Sequence, residues 1–103
     1  MPLPELSPEE RAAALEKAAE ARRVRAEIKE LLRTGTITFG EVLARADSES
    51  MIGGLKLKSV LESLPGLGKI KTKRLLESLD IDERRRLRGL GDRQRQALLT
   101  ELG

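Results

Sequence analysis

Gly66 and Gly68 stand one residue apart in Leu64-Pro65-Gly66-Leu67-Gly68-Lys69, and Lys69, Lys71, Lys73 and Arg74 follow directly. Glycine has no Cβ, so the chain can turn tightly there and its backbone can approach a ligand closely. A helix that opens on such a turn presents unpaired N–H groups and the positive end of its dipole. The cations add mobile positive charge. Together these residues can capture phosphate, and a run of four cations points to the phosphates of a nucleic-acid backbone. A bare Gly-x-Gly is a weak signal that also marks plain tight turns. Here it lies between two amphipathic segments, which favours phosphate binding.

A second cluster is Arg84-Arg85-Arg86 with Arg88, just before Gly89-Leu90-Gly91. Arginine meets phosphate in bidentate geometry. The plain alternative is a solvated face, partly offset by Asp80, Asp82 and Glu83. Four arginines in five positions just before a second Gly-x-Gly favour phosphate contact over that alternative. Asp92 would oppose a phosphate, so the second glycine loop ranks below the first. Lys56 and Lys58 point to opposite sides of their helix, and Lys56 is placed with the binding set.

Other chemistry is poorly supplied. The chain has no cysteine and no histidine, so it lacks thiolate metal ligands and the commonest general base and metal ligand. No cofactor or metal is expected. No apolar run is long enough to span a membrane, and no signal-peptide pattern opens the chain. A cytoplasmic location, on the nucleoid, is expected. Phe39 is the only aromatic residue. Single strands and splayed RNA are usually held by stacking on aromatic rings, so duplex backbone is the better target.

Charge is uneven. Residues 1–50 hold 8 Lys/Arg against 10 Asp/Glu, a balance of −2; residues 51–103 hold 12 against 7, a balance of +5. The basic half contains the glycine loop, as a nucleic-acid footprint would.

The elements that must position these groups read as helices throughout. Ser7-Pro8-Glu9-Glu10 has capping-box spacing with proline at the first helical position. The breaker-free run from Pro8 to Arg33 ends at Thr34-Gly35. Its second half carries the apolar stripe Val24, Ile28, Leu31, Leu32. Its first half has Leu15 as its only large apolar residue and is expected to protrude. Arg11, Lys17, Arg22, Arg23 and Arg25 lie along this helix. A solvated face balanced by Glu16, Glu20 and Glu27 is the favoured reading for the free protein, and a second, weaker DNA contact at Arg22, Arg23 and Arg25 is the lesser one. Thr38 to Glu41 starts another capped helix, with Phe39, Val42 and Leu43 inward. Asp47 to Ser50 is a polar connector, and Met51, Ile52 and Leu55 form a buried turn. Helices are predicted over Lys56 to Leu64, over Lys69 to Leu79 (burying Ile70, Leu75, Leu76 and Leu79), and after Asp92 (burying Ala97, Leu98 and Leu102). Asp82 caps a short turn. No segment alternates like a strand. The fold class is all-α: an extended helix over residues 1–34, then a compact DNA-binding domain over residues 35–103.

The hairpin Leu64 to Lys69 resembles the helix-hairpin-helix signature of DNA-binding proteins. The longer pattern Gly66-Leu67-Gly68, Leu75-Leu76, Ile81, Arg86-Leu87-Arg88 and a capped last helix resembles the helix-two-turns-helix module of a ribosomal protein and of formamidopyrimidine-type glycosylases. Over nearly its whole length the chain is similar to the actinobacterial integration host factor family. The blocks Arg11 to Ala19, Leu61 to Gly66 and Arg86 to Gln94 carry that likeness. It implies a nucleoid-associated protein that binds duplex DNA with little sequence preference, bends or organises it, and assists phage integration beside an integrase complex. It implies DNA contacts at Gly66, Leu67, Gly68, Lys69, Lys71, Lys73 and Arg74, flanked by Arg85, Arg86 and Arg88. That family often has alanine in place of Thr72, so packing there should differ slightly.

Rival classes fare worse. Glycosylases with the hairpin carry a lysine where Ile70 stands, and an aspartate further on where this chain reads Leu87-Arg88-Gly89. The formamidopyrimidine type needs an N-terminal proline followed by glutamate; here Leu3 follows Pro2. No enzyme is expected. The alternative function is an RNA-binding, ribosomal-protein-like module, which phosphate capture alone does not separate from DNA binding. The absence of a long exposed apolar stripe predicts a monomer.

Overall fold

Ser7 begins the first helix by accepting a hydrogen bond on its Oγ from the Glu10 N–H at 3.1 Å. In the computed structural model, which describes residues 7–102, this helix is α1 (Pro8–Arg33), with Pro8 in its first turn. The return bond from the Glu10 side chain is not formed among the described residues, so the cap is half of the expected box. Pro2, considered above as a nucleophile, lies outside the described residues. The 26 residues of α1 span roughly 39 Å at about 1.5 Å per residue.

The two halves of α1 differ as their composition dictates. From Pro8 to Arg23 nearly every residue is exposed, Leu15 at 69%. Beyond Arg23, Val24, Ile28, Leu31 and Leu32 recur at helical spacing and turn inward, with Ile28 and Leu32 fully buried. Thr34 closes the helix: its N–H and its hydroxyl both donate to the Glu30 carbonyl.

Next comes α2 (Phe39–Ser48), opened by a complete capping box between Thr38 and Glu41. A single turn, α3 (Ser50–Gly53), then forms where the sequence reads as connector and buried turn. The following helix, α4 (Leu57–Glu62), is shorter than expected. Ser63 and Leu64 continue only as turns, donating to the Val60 and Leu61 carbonyls. Pro65 disfavours helical backbone in the residue before it. After the hairpin come α5 (Gly68–Ser78), a 3-10 turn at Leu87–Gly89, and α6 (Asp92–Leu102).

No strand forms among the described residues, but one antiparallel bridge pairs Lys56 with Arg86. The Leu57 N–H donates to the Arg85 carbonyl at 2.9 Å, and the Leu87 N–H to the Leu55 carbonyl at 3.0 Å. This ties the entry of α4 to the arginine segment.

One core joins all these elements. Ile28 and Leu32, Phe39 and Val42, Ile52, Leu57 and Leu61, Leu76, Leu87 and Leu98 are its main members. Two expectations fail here. Ile70 is not buried but 71% exposed, and Leu75, Leu79, Ala97 and Leu102 are only half-buried. The inward stripe of α5 is Thr72, Leu75, Leu76 and Leu79, at i, i+3, i+4 and i+7, which turns Ile70 to the opposite side. α6 enters the core through Leu98 and is pinned to α2 by Arg95, whose guanidinium donates to both Asp47 oxygens at 2.9 and 3.0 Å. That bond holds the Asp47 carboxyl below the usual carboxylate range.

Candidate nucleic-acid interface

The hairpin has the backbone its glycines allow. Gly66 and Gly68 take φ of +80° and +64°, a left-handed conformation that costs other residues roughly 1–2 kcal/mol. The Leu67 N–H donates to the Leu64 carbonyl at 3.2 Å and closes the turn. Leu67 and Leu64 pack against the core and fix the loop's height above it. No side chain caps α5. The N–H groups of Gly68, Lys69 and Ile70 therefore face outward, as the first turn of any helix leaves them. A phosphate oxygen could accept from them.

The cations follow the helical period of about 100° per residue. With Thr72 and Leu76 inward, Lys69 and Lys73 share one flank, Lys71 occupies the other, and Arg74 points out beside Ile70. All four cations are exposed, and none forms an ion pair among the described residues.

The arginine segment is more constrained. Arg84 is bound to Asp82 through both its backbone N–H and its guanidinium. These bonds lower the Asp82 carboxyl to about 2. Arg85 donates to the Gly89 carbonyl at 2.7 Å and Arg86 to the Gly54 carbonyl at 2.6 Å, yet both remain exposed. Arg88 is exposed without an ion pair among the described residues. The bridge sets Lys56 beside Arg86. Lys58, on the other side, lies 3.8 Å from Glu83.

Two clefts join α1 to this surface. One, of about 700 Å³, lies between Arg22, Arg25, Lys29 and Arg33 on α1 and Glu62, Ser63, Pro65 and Gly68 at the hairpin. The other, of about 570 Å³, is lined by Arg25 and Lys29 together with Lys56 and Arg86. The sequence suggests a separate second contact on α1; the structure sets Arg22 and Arg25 across a cleft from the hairpin instead. Arg23 lines neither cleft. Lys29, Arg33 and Glu62 were not singled out by sequence. Lys29 could have been, since it follows Arg22 and Arg25 at i+7 and i+4 on one helix face.

Known proteins agree with this architecture. Residues 32–102 match the S13-like H2TH domain. The integration host factor of Mycobacterium tuberculosis is 52% identical over 103 residues, covering all of this chain and 98% of that protein. The integration host factor of Streptomyces coelicolor is 50% identical, covering all of this chain and 96% of the relative. A solved structure described as sIHF bound to an 8-base-pair palindromic DNA superposes with a TM-score of 0.83 at 45% identity, covering 85% of this chain and 99% of that one. With the helical hairpin, the basic helix behind it and this full-length likeness, the chain belongs to the integration host factor family, built on an S13-like H2TH domain.

Proposed function

We propose that this protein binds the phosphate backbone of double-stranded DNA with little sequence preference and shapes the duplex. The observation that carries this is the uncapped start of α5. It follows two positive-φ glycines and is flanked by Lys69, Lys71, Lys73 and Arg74, none engaged in an ion pair among the described residues. Lys56 and Arg86 extend the surface into the second cleft, Arg22 and Arg25 line its far wall, and the exposed Arg85 and Arg88 complete the proposed contact set. Phosphate contacts carry no base information, so sequence preference is slight. Affinity comes from counterion release and falls steeply with salt. The relative solved with DNA supports the duplex as ligand over RNA. The name shared by the relatives supports an assisting role in integration beside an integrase. The protein acts as a binder, not an enzyme. No described helix is long and apolar enough to cross a membrane, which fits work on the nucleoid. In this reading residues 1–34 form the arm and 35–103 the binding domain, with Ile28 and Leu32 rooting the arm in the core.

The test is fluorescence anisotropy of a labelled 20-base-pair duplex across a salt series, with single-stranded DNA and duplex RNA as competitors. Duplex-DNA preference with a steep salt slope is expected. Equal or better competition by RNA would move the ribosome-like module to first place. Bending is tested separately: the protein should speed circularisation of short DNA fragments, and an unchanged rate would remove bending from the proposal.

A further inference from the structure

Ile70 plays no part in holding phosphate, yet it stands among the groups that do. It is the third residue of α5 and is 71% exposed; Leu15, on the arm, is the only other large apolar side chain so exposed among the described residues. Lys69, Lys71, Lys73 and Arg74 surround it, all exposed. A single exposed apolar residue is ordinary in itself. This one differs in where it leans. Its own N–H is among those left free at the start of α5, and in a helix the Cα–Cβ bond tilts toward the N-terminus. The side chain therefore leans toward whatever that terminus binds. It is β-branched and stiff, so contact costs it little rotamer freedom.

The group proposed to bind there is a phosphodiester, which carries a sugar on each of its two ester oxygens. The sugar joined through its 3′ oxygen has its 2′ carbon next to the carbon that bears the ester. A phosphate held by the Ile70 N–H thus brings a 2′ position to the Ile70 side chain, whichever groove lies alongside. In DNA that carbon bears only hydrogen and meets isoleucine as apolar surface. In RNA it bears a hydroxyl, both donor and acceptor. From Gly68 to Arg74 no exposed side chain can accept its hydrogen bond: lysine and arginine only donate, and Thr72 is sealed in the core. A ribose hydroxyl pressed against Ile70 loses water and gains no acceptor. We infer that Ile70 is a specificity-determining residue, which packs on the deoxyribose beside the bound phosphate and selects DNA against RNA at the 2′ position. This rests on the duplex-binding reading above and names the group that enforces its preference for DNA.

The test measures anisotropy on three labelled 20-base-pair duplexes of one base sequence: DNA, RNA, and RNA with fluorine in place of every 2′-hydroxyl. The fluorinated duplex keeps the A-form shape of RNA but has no 2′ donor. The wild-type protein should bind RNA about tenfold more weakly than its fluorinated twin, the scale of one hydroxyl desolvated without a partner. Ile70→Ser, which offers that hydroxyl an acceptor, should bring the ratio close to one. Ile70→Val, which stays apolar, should keep it. Ile70 is too exposed for either change to unfold the domain. Both variants should keep the wild-type salt slope, because Ile70 neutralises no phosphate. Equal binding of RNA and fluorinated RNA by the wild type overturns the inference, since any preference for DNA then lies in duplex shape. So does a ratio that survives in Ile70→Ser. If the wild type binds DNA no more tightly than RNA, or without salt dependence, the duplex-binding reading fails first and takes the inference with it.

Discussion

Lys69 and Arg74 stand on different sides of α5, and neither holds a carboxylate among the described residues. Each is therefore expected to meet its own phosphate. Lys69→Ala and Arg74→Ala should weaken every duplex alike and each lower the slope of log K against log salt by about 0.9. A loss confined to one sequence would contradict backbone readout. Thr72 is the reverse case, a polar group sealed in the core. It is completely buried, and its Oγ1 has no partner. Thr72→Val keeps the shape and removes the unpaired hydroxyl, so it should stabilise the fold by about 1 kcal/mol, visible as a higher Tm. Asp82 is held near a pKa of about 2 by Arg84, below its unfolded value. Its contribution is therefore complete above the unfolded pKa and is lost as pH falls from there toward 2. The carboxyl should titrate near 2 by NMR, and Asp82→Asn should flatten that stretch of the acid limb. At this scale the cations were legible in the sequence, because charge beside a glycine turn needs no tertiary information. Ile70 was not. An isoleucine in a helix is ordinarily counted inward, and only the register set by Thr72 and Leu76 turns it out among the lysines.

Among elements, the hairpin and the α3 turn both depend on glycine, for different reasons. A Cβ on Gly66 or Gly68 meets nothing within 4 Å, but the backbone there is left-handed. A Cβ on Gly53 would sit 2.8 Å from the Ala46 carbonyl oxygen, where α2 and α3 touch. Gly66→Ala should cost about 1 kcal/mol and weaken DNA binding as well. Gly53→Ala should cost more, about 2 kcal/mol or above, and leave the affinity of the folded fraction unchanged. Chemical denaturation alongside anisotropy separates the two. Helix starts were legible because caps are local: Thr38 and Glu41 form their box as spaced. The end of α4 and the existence of α3 were not, since short turns lack enough periods to show one.

For the whole molecule, what escaped the sequence is what long-range contact decides. The bridge joins Lys56 to Arg86 across the entire hairpin and α5, and no local pattern announces it. The approach of α1 to the hairpin is likewise set by the shared core, through Ile28 and Leu32. It sets the basic residues of α1 across one cleft from Ser63, Pro65 and Gly68 of the hairpin and across a second from Lys56 and Arg86.

On the proposed duplex-binding reading, the protruding half of α1 is expected to limit how densely the protein covers DNA. The molecule measures 47 × 33 × 26 Å. At about 3.4 Å per base pair, its long axis laid along a duplex occupies roughly 14 base pairs. Only the stretch of α1 from Ala21 onward lines the two clefts, so on the proposed duplex the earlier half extends beyond the hairpin's own footprint and is expected to exclude neighbours there. Removing residues 1–21 should let more copies load per kilobase at saturation, even though each holds its site no more tightly. A higher saturation density in that variant would identify the arm as a spacer between neighbouring copies.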